Sequence, residues 1–225
     1  MQSHEIRKTF TNFFVERGHQ AMPSSSLIPH NDPTVLLTTA GMQQMTPFFL
    51  GLEDPPAPRL TSIQKCFRAV GKDDDVMEVG DDTHLTFFEM LGNFSVGDYF
   101  KDTAIDLAWE LVTGPFGIDP GAIWITVNPE DDYSRDYWRD KIGIPARKIQ
   151  DDPDNVWGPV GDTGPCGPNT EIYFDFDYAE RGDDGRGPMS EDEDRYIEFW
   201  NLVFMEFFQE ADGSRRQLKM QNVDT

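Results

Sequence analysis

One arginine, followed by an acid-rich stretch and then by an aromatic segment, forms the pattern in this chain that most directly indicates chemistry. Arg68 ends an apolar run, a polar loop follows, and the strand-like residues 85–90 contain Phe87 and Phe88. A guanidinium can hold phosphate or carboxylate oxygens in a bidentate manner, and an aromatic ring can stack on a nucleobase. This order of cation, loop and ring predicts a hairpin that binds a nucleotide, although both rings could instead belong to the core.

The strongest strand candidate carries a polar amide. Residues 196–208 read YIEFWNLVFMEFF. Alternate residues of a strand face the same side, so Asn201 is expected to share its face with Val203 and other apolar side chains. Burying an amide there without a hydrogen bond would cost roughly 2–7 kcal/mol. The pattern therefore predicts a partner for Asn201, which is either the protein's own backbone or a ligand.

Glycine and proline are concentrated in residues 156–172, which read VWGPVGDTGPCGPNTEI. Residues 161–164 could present backbone N–H groups to an anion, and Trp157 offers a flat apolar wall. Such a run forms an ordinary turn more often than it forms a binding site. Two interpretations of this segment, a turn and an anion-binding loop, therefore remain open at this point.

Periodicity and turn residues predict the elements that position these side chains. They are a helix over residues 4–17 capped by Ser3 and ended by Gly18, a buried strand at 35–37 between loops, a helix capped by Asp102 and ended by Gly114, a strand at 122–128, a short helix at 133–142, and strands at 172–176 and 196–208. Residues 177–195 are acidic and poor in apolar side chains, which predicts an exposed loop insert. We expect an α+β fold with a mostly antiparallel sheet flanked by helices.

The composition is that of a globular protein with an acidic surface. The chain has 225 residues, of which 38% are hydrophobic and 12% aromatic, enough for one large domain or two small ones. Its 19 basic and 41 acidic residues give a formal charge of −22, which is the opposite of the usual nucleic-acid-binding surface. The acidic clusters are interpreted as solvated surface rather than as metal sites, and a salt-rich habitat is one hypothesis for them.

Several features favour a soluble, cytoplasmic protein. No apolar run reaches the roughly 20 residues that a membrane crossing needs. The charged N-terminal sequence MQSHEIRK does not look like a signal peptide. Cys66 and Cys166 lie too far apart for a zinc motif or a disulfide framework, so we expect reduced thiols, with Cys166 buried.

Five segments, in the same order, resemble the catalytic core of the alanyl-tRNA synthetases. Residues 83–101, THLTFFEMLGNFSVGDYFK, are similar to the end of the family's motif 2, usually HHTFFEMLGNFSFGDYFK. The others are residues 23–42 (family SSSLVPxxDPTLLFTNAGM), 156–172 (family NFWxMGDTGPCGPC-[ST]-E-I), 200–204 (family W-N-[IL]-V-F) and 218–225, LKMQNVDT, against the opening of motif 3, LPxKNVDTGMGLER. The resemblance covers essentially all of the chain.

This resemblance implies a class II aminoacyl-tRNA synthetase core over residues 1–225, cut within motif 3. The implied enzyme activates L-alanine with ATP, releases pyrophosphate, and transfers the alanyl group to the 3′ end of alanine tRNA. Magnesium is expected with ATP, whereas the family's zinc belongs to an editing domain outside this chain. The main tRNA-reading modules and the motif 3 arginine are also outside it, so impaired activity is expected.

The same resemblance assigns roles to individual residues. Arg68 would contact both the substrate carboxylate and the α-phosphate of ATP, His84 would lie near the outer phosphates, and Phe87, preferred to Phe88, would stack on adenine. The implied alanine-binding residues are Met42, Trp157 and Val203 as pocket walls, Asn201 within the pocket, and Asp224 on the amino group. The sequence departs from the family pattern at Thr83 and Leu85, which weakens the implied triphosphate contact, and at Val156, Val160 and Asn169.

Two other interpretations remain open. The chain could be a truncated relative that acts as a binding module for alanine, an adenylate or a protein partner. It could also be the core of another class II synthetase or ligase that activates a different amino acid by the same chemistry. The amino-acid dependence of the reaction would separate this last case from the alanine enzyme.

Overall fold

The computed structural model describes residues 1–29, 36–69, 80, 84–159, 162–190 and 195–225. They form two compact units, Met1–Val96 and Gly97–Thr225. None of the described helices combines the length and the apolar composition that a membrane crossing needs.

The first unit consists of a β-hairpin and the helices that cover it. Its elements are α1 (Ser3–Val15), β1 (Gln20–Met22), a 3₁₀ helix (Gly41–Met45), α2 (Thr46–Phe49), β2 (Arg59–Phe67) and β3 (Phe87–Val96). β1 runs parallel to β2, and β2 runs antiparallel to β3 with Phe67 opposite Phe87. Its core is aromatic, with Phe10, Phe14 and Phe94 buried. The predicted hairpin is therefore confirmed as an antiparallel strand pair, and Arg68 follows the first of its strands.

Two local predictions in this unit need correction. Ser3 is the first residue of α1, and the cap is Gln2, whose N–H donates to the Glu5 carboxylate at 2.6 Å. The buried strand predicted at 35–37 is wrong within the described residues, because Leu36 is 94% exposed and no strand forms there. Residue 35 lies outside the described residues. Gly18, with a φ of 86°, turns the chain after α1 as expected.

The second unit is a strand-rich sheet with short helices. Its elements are α3 (Lys101–Thr113), a 3₁₀ helix (Pro120–Ala122), β4 (Ile123–Val127), α4 (Asp132–Asp136) continued by a π-helical segment (Tyr137–Ile142), a 3₁₀ helix (Ala146–Lys148), β5 (Ile149–Asp151), β6 (Val156–Trp157), β7 (Gly164–Asp175), α5 (Tyr178–Arg181), β8 (Tyr196–Gln209) and β9 (Arg215–Asp224). The strand order is β9-β8-β7-β4-β5, with β6 paired to β7. β4 and β5 are parallel, and the other described pairs of this unit are antiparallel. The predicted α+β fold with a mostly antiparallel sheet is confirmed.

The start of α3 also differs from the prediction. The helix begins at Lys101 with Phe100 as the capping residue, so Asp102 lies in the first turn. Its carboxylate accepts a hydrogen bond from the Thr103 N–H at 2.8 Å, where a negative charge favours the exposed amides of a helix start. Gly114 ends the helix as predicted.

The glycine- and proline-rich segment is a strand from Gly164 onward. A side chain at Gly167 would place its Cβ 1.9 Å from the carbonyl oxygen of Phe204, so β7 approaches β8 too closely for any other residue. Close strand packing therefore accounts for Gly167, and this glycine does not require a bound anion to explain it. Residues 160–161 lie outside the described residues.

The acidic segment 177–195 is anchored at its end. Arg195 is buried and donates from Nε and an Nη atom to the two oxygens of Asp175, at 2.7 and 2.8 Å. It also pairs with Asp184 at 2.5 Å. This charge cluster fixes the end of the segment, whose described residues form the short helix α5 and otherwise turns and irregular backbone.

Candidate functional site

Arg68 lies directly after β2 in the first unit and is held by three contacts. Its Nε donates to the carbonyl oxygen of Thr39 at 3.0 Å, and its backbone N–H donates to that of Thr86 at 2.9 Å. The guanidinium carbon lies 5.4 Å from the centre of the Phe88 ring. The residue nevertheless remains exposed. Arg68 is therefore a positioned cation that solvent, or an anion, can reach.

The two phenylalanines of the hairpin have different environments. Phe87 is the first residue of β3 and is 55% exposed, whereas Phe88 is partly buried and lies beside Arg68. Because a ring must expose a face in order to stack on a base, this arrangement favours Phe87 over Phe88 as the stacking residue. His84 is exposed in the loop before β3.

Met42 is buried in the 3₁₀ helix Gly41–Met45. This helix closely follows Thr39, whose carbonyl oxygen accepts the hydrogen bond from Arg68. The Gly41 N–H at the start of this helix donates to the Met90 sulfur at 3.2 Å, which fastens the helix to β3. The first unit thus brings Arg68, the Phe87–Phe88 pair and the segment of Met42 together around one hairpin.

In the second unit, a buried glutamate organises the face of the sheet. Glu171 lies on β7 and is 8% exposed. Its oxygens accept hydrogen bonds from four side chains, which are Asn169 (3.1 Å), Asn201 (3.1 Å), Tyr173 (3.0 Å) and Thr126 (3.2 Å). Desolvation raises the pKa of Glu171, and the hydrogen bonds oppose this shift. Desolvation, followed by the charge of Glu171, also raises the pKa of Tyr173.

Asn201 has one satisfied and one unsatisfied polar atom. Its register partner across β7 and β8 is Glu171, which accepts from its Nδ2. Its Oδ1 is buried and has no hydrogen-bond partner among the described residues. Val203 shares this face as expected, but the surroundings are not solely apolar, because Glu171 and Asn169 lie on the same face. The partner of Asn201 is a side chain, and an acceptor remains for a further donor.

Val203 and Asp224 lie beside Asn201. Val203 is two residues further along β8, is buried, and faces Asn169 of β7 on one side and Asp224 of β9 on the other. Diagonal neighbours across strands lie roughly 7–8 Å apart, so Asn201 and Asp224 can both reach one small group beside Val203. Desolvation raises the pKa of Asp224 to about 7. A cation beside this carboxylate would offset that desolvation.

Asn222 lies two residues before Asp224 on β9, opposite Met205. It is fully buried, and neither its Oδ1 nor its Nδ2 has a hydrogen-bond partner in the described ranges. Unpaired amides are uncommon in folded interiors, so Asn222 adds a second buried polar group without a partner at the end of β9 that carries Asp224.

Trp157, the third predicted pocket wall, lies on β6 opposite Gly167 of β7 and is partly buried. The structure thus places Trp157 beside the strand of Glu171, and places Asn201, Val203 and Asp224 on neighbouring strands. Cys166 is buried with a raised pKa caused by desolvation, as expected for a structural thiol.

Glu171 was not found from the sequence. The strand predicted from the sequence begins at Ile172, which leaves Glu171 and Asn169 in the glycine-rich segment. The signal that could have found them is their alternation in N-T-E, which puts an amide and a carboxylate on the same side of a strand. Among the described residues, no group of three or more His, Cys, Asp or Glu side chains is arranged to hold a metal ion.

The sequence family that matches is described as tRNA synthetases class II (A), and the match spans residues 5–225. The chain belongs to this family.

Several curated proteins that are similar to this chain are named alanine–tRNA ligase. Alanine–tRNA ligases from Rubrobacter xylanophilus, Acidithiobacillus ferridurans and Thermobifida fusca are 52%, 50% and 49% identical to the whole of this chain. The chain spans about a quarter of their length, since 26% of each relative is covered. The match therefore concerns one part of a larger class II synthetase.

Solved structures of class II synthetases share the fold at low sequence identity. The apo histidyl-tRNA synthetase of S. aureus gives a TM-score of 0.54 at 10% identity, covering 98% of this chain and 62% of that chain. The RNA-binding domain of threonyl-tRNA synthetase from Cryptosporidium parvum Iowa II gives 0.56 at 10% identity, covering 98% and 60%. These similarities confirm the class II synthetase-like fold that the sequence predicted.

Proposed function

We propose that this chain is the aminoacylation core of an alanine–tRNA ligase. The observation that carries the proposal is the row of Asn201, Val203 and Asp224 on β8 and β9, which offers two acceptors for an ammonium group on either side of a small apolar side chain. The identity of about 50% to alanine–tRNA ligases supports alanine as the amino acid.

In the first step, a carboxylate oxygen of alanine attacks the α-phosphorus of ATP. The bond to the bridging oxygen breaks, pyrophosphate leaves with those electrons, and alanyl-adenylate remains. Arg68 would stabilise the charge that develops on the phosphoryl oxygens, and Phe87 would stack on adenine. Asp224 would bind the ammonium group as a carboxylate, and Val203 and Trp157 would limit the size of the side chain.

In the second step, the terminal ribose hydroxyl of alanine tRNA attacks the carbonyl carbon of the adenylate. The hydroxyl proton is lost, AMP leaves, and the ester forms. We assign ATP, alanine and alanine tRNA as substrates, with Mg²⁺ accompanying ATP and the cytoplasm as the place of action. The formal charge of −22 opposes tRNA binding by this chain, so most tRNA contacts would come from other parts of the protein.

The test is the equilibrium binding of sulfamate analogues of aminoacyl-adenylates, together with alanine-dependent exchange of pyrophosphate into ATP. We expect the alanyl analogue to bind more tightly than the leucyl or histidyl analogue, and we expect exchange to require both alanine and Arg68. Tighter binding of another analogue would transfer the proposal to a different class II synthetase. Binding of the alanyl analogue with no exchange, both from this chain and from one extended through the motif 3 residues GMGLER, would favour the binding-module alternative.

A further inference from the structure

Glu171 fixes the direction of every hydrogen bond that reaches it. An ionised carboxylate can only accept hydrogen bonds, so each of its four neighbours has to donate. For Asn201 this means that the amide nitrogen, and not the oxygen, turns toward β7, as the 3.1 Å contact from Nδ2 to Oε1 shows. The amide oxygen consequently turns away from Glu171.

A second set of residues, behind Glu171, sets the direction of the hydrogen bond from Thr126. The Thr126 hydroxyl accepts from Asn155 Nδ2 at 2.8 Å, which leaves its own proton free to donate to Glu171. The backbone of Asn155 is in turn fixed, because its main-chain carbonyl oxygen accepts from Asn128 Nδ2 at 3.2 Å. All three of these supporting residues are buried. The carboxylate is therefore held in place by neighbours that do not touch the open side of Asn201.

We propose that Glu171 is a positioning residue that holds the Asn201 amide with its Oδ1 toward an N–H donor of the ligand, which is the ammonium group of alanine. This inference rests on the proposed function. The buried Oδ1, unpaired within the described ranges, is the place where the donor would bind. Asp224, beyond Val203 on the next strand, would accept a second N–H of the same ammonium.

The experiment compares two ligands that differ only in the ammonium group. They are the alanyl and the propionyl sulfamate analogues of the adenylate, and their dissociation constants are measured by calorimetry with the 225-residue chain. Glu171→Gln keeps the size of the side chain, but its amide can both donate and accept, so Asn201 is no longer confined to one orientation. We expect affinity for the alanyl analogue to fall roughly tenfold, with less than about a twofold change for the propionyl analogue.

Two further variants complete the test. Asn201→Ala should show the same loss confined to the alanyl analogue, and the double variant should lose little more than either single variant. Glu180→Gln removes an exposed carboxylate of the same size from α5 and should change neither constant. Equal losses for both analogues in Glu171→Gln, or no loss for either, would overturn the positioning role.

A thermal unfolding curve recorded for each variant separates misfolding from misorientation. If Glu171→Gln does not fold, Thr126→Val removes a single donor to Glu171 and should give a smaller loss, again confined to the alanyl analogue. A loss shared by both analogues would overturn the inference. A wild-type chain that binds neither analogue would overturn the proposed function, and the inference with it, before any variant is compared.

Discussion

The hairpin of the first unit and the sheet face of the second unit hold their predicted site residues in opposite ways. Arg68 and Phe87 are exposed, and Arg68 rests on one carbonyl oxygen and one ring. Glu171 and Asn201 are hydrogen-bonded side chain to side chain within a sheet. An exposed cation can meet a large, highly charged ligand with little rearrangement, whereas a desolvated carboxylate or amide responds strongly to a single well-placed group.

The difference has a consequence for stability and for selectivity. Changes in the hairpin should alter nucleotide chemistry and leave the folded state largely intact, because few contacts are lost. Changes on the sheet face should alter both ligand selectivity and stability, because Glu171 and Val203 are buried and Asn201 is hydrogen-bonded to Glu171. The predictions below test this contrast, in order of decreasing effect.

Replacing Arg68 by alanine should produce the largest loss. Under the proposed function, removing a group that stabilises transition-state charge should reduce the rate of pyrophosphate exchange by about 10²–10³-fold. The midpoint of thermal unfolding should change little, because the side chain is exposed. Lys8→Ala, which removes an exposed cation from α1, is the matched control. Unchanged exchange in Arg68→Ala would contradict the role of the hairpin.

Replacing Asp224 by asparagine should weaken alanine binding and strengthen the fold. Removing one partner of a desolvated charge pair typically costs about 2–5 kcal/mol, so the dissociation constant of the alanyl analogue should rise at least roughly 30-fold. Because desolvation raises the pKa of Asp224 to about 7, its charge opposes folding at pH 8, and the neutral amide removes that cost.

The measurement for this variant is calorimetry with the alanyl analogue, together with chemical unfolding at pH 8. Asp54→Asn, which changes an exposed carboxylate in the loop before β2, is the control. If Asp224→Asn binds the analogue as the wild type does, the ammonium contact is wrong.

In the wild type, ionisation of Asp224 should affect the pH dependence of both the free energy of unfolding and the binding of the alanyl analogue. Between about pH 4 and pH 7 the folded state binds a proton at Asp224 that the unfolded chain has already released, so this group lowers the free energy of unfolding as pH rises through that window. Ammonium binding needs the ionised form and should therefore weaken below about pH 7. A titration that compares the alanyl with the propionyl analogue isolates the effect, because only the first carries the ammonium. A parallel pH profile for both would exclude Asp224 as its cause.

The smallest effect is expected at the aromatic pair. Phe87→Ala should raise the dissociation constant for ATP by roughly 3–10-fold, which corresponds to the loss of one stacking contact of about 1 kcal/mol. Phe88→Ala should act differently and lower the exchange rate, because its ring lies beside the guanidinium of Arg68. Identical kinetic effects of the two variants would show that the rings do not have separate roles.

Local sequence patterns were sufficient for the elements with strong periodicity. The long strand β8 and the helices α1 and α3 could each be predicted, because their apolar spacing extends over many residues, whereas the hairpin of β2 and β3 followed from the order of a cation, a polar loop and an aromatic segment. The caps predicted at Ser3 and Asp102 lie one and two residues inside the helices, because the exact end of a helix is less sharply specified by local sequence than its apolar spacing. The strand predicted at 35–37 was wrong because a short apolar run does not show what covers it.

The sequence by itself determined the family, the class II synthetase-like fold and the identity of the residues in the matched segments, since these depend on residue type and order along the chain. Only the tertiary structure decided which polar atoms of those residues are already hydrogen-bonded within the protein. Glu171 and Asn201 are 30 residues apart in the chain, and strand pairing alone makes them neighbours. A hydrogen bond depends on distance and direction within a few tenths of an ångström, and sequence spacing does not specify such geometry between strands. The free acceptor of Asn201 is therefore a property of the folded sheet.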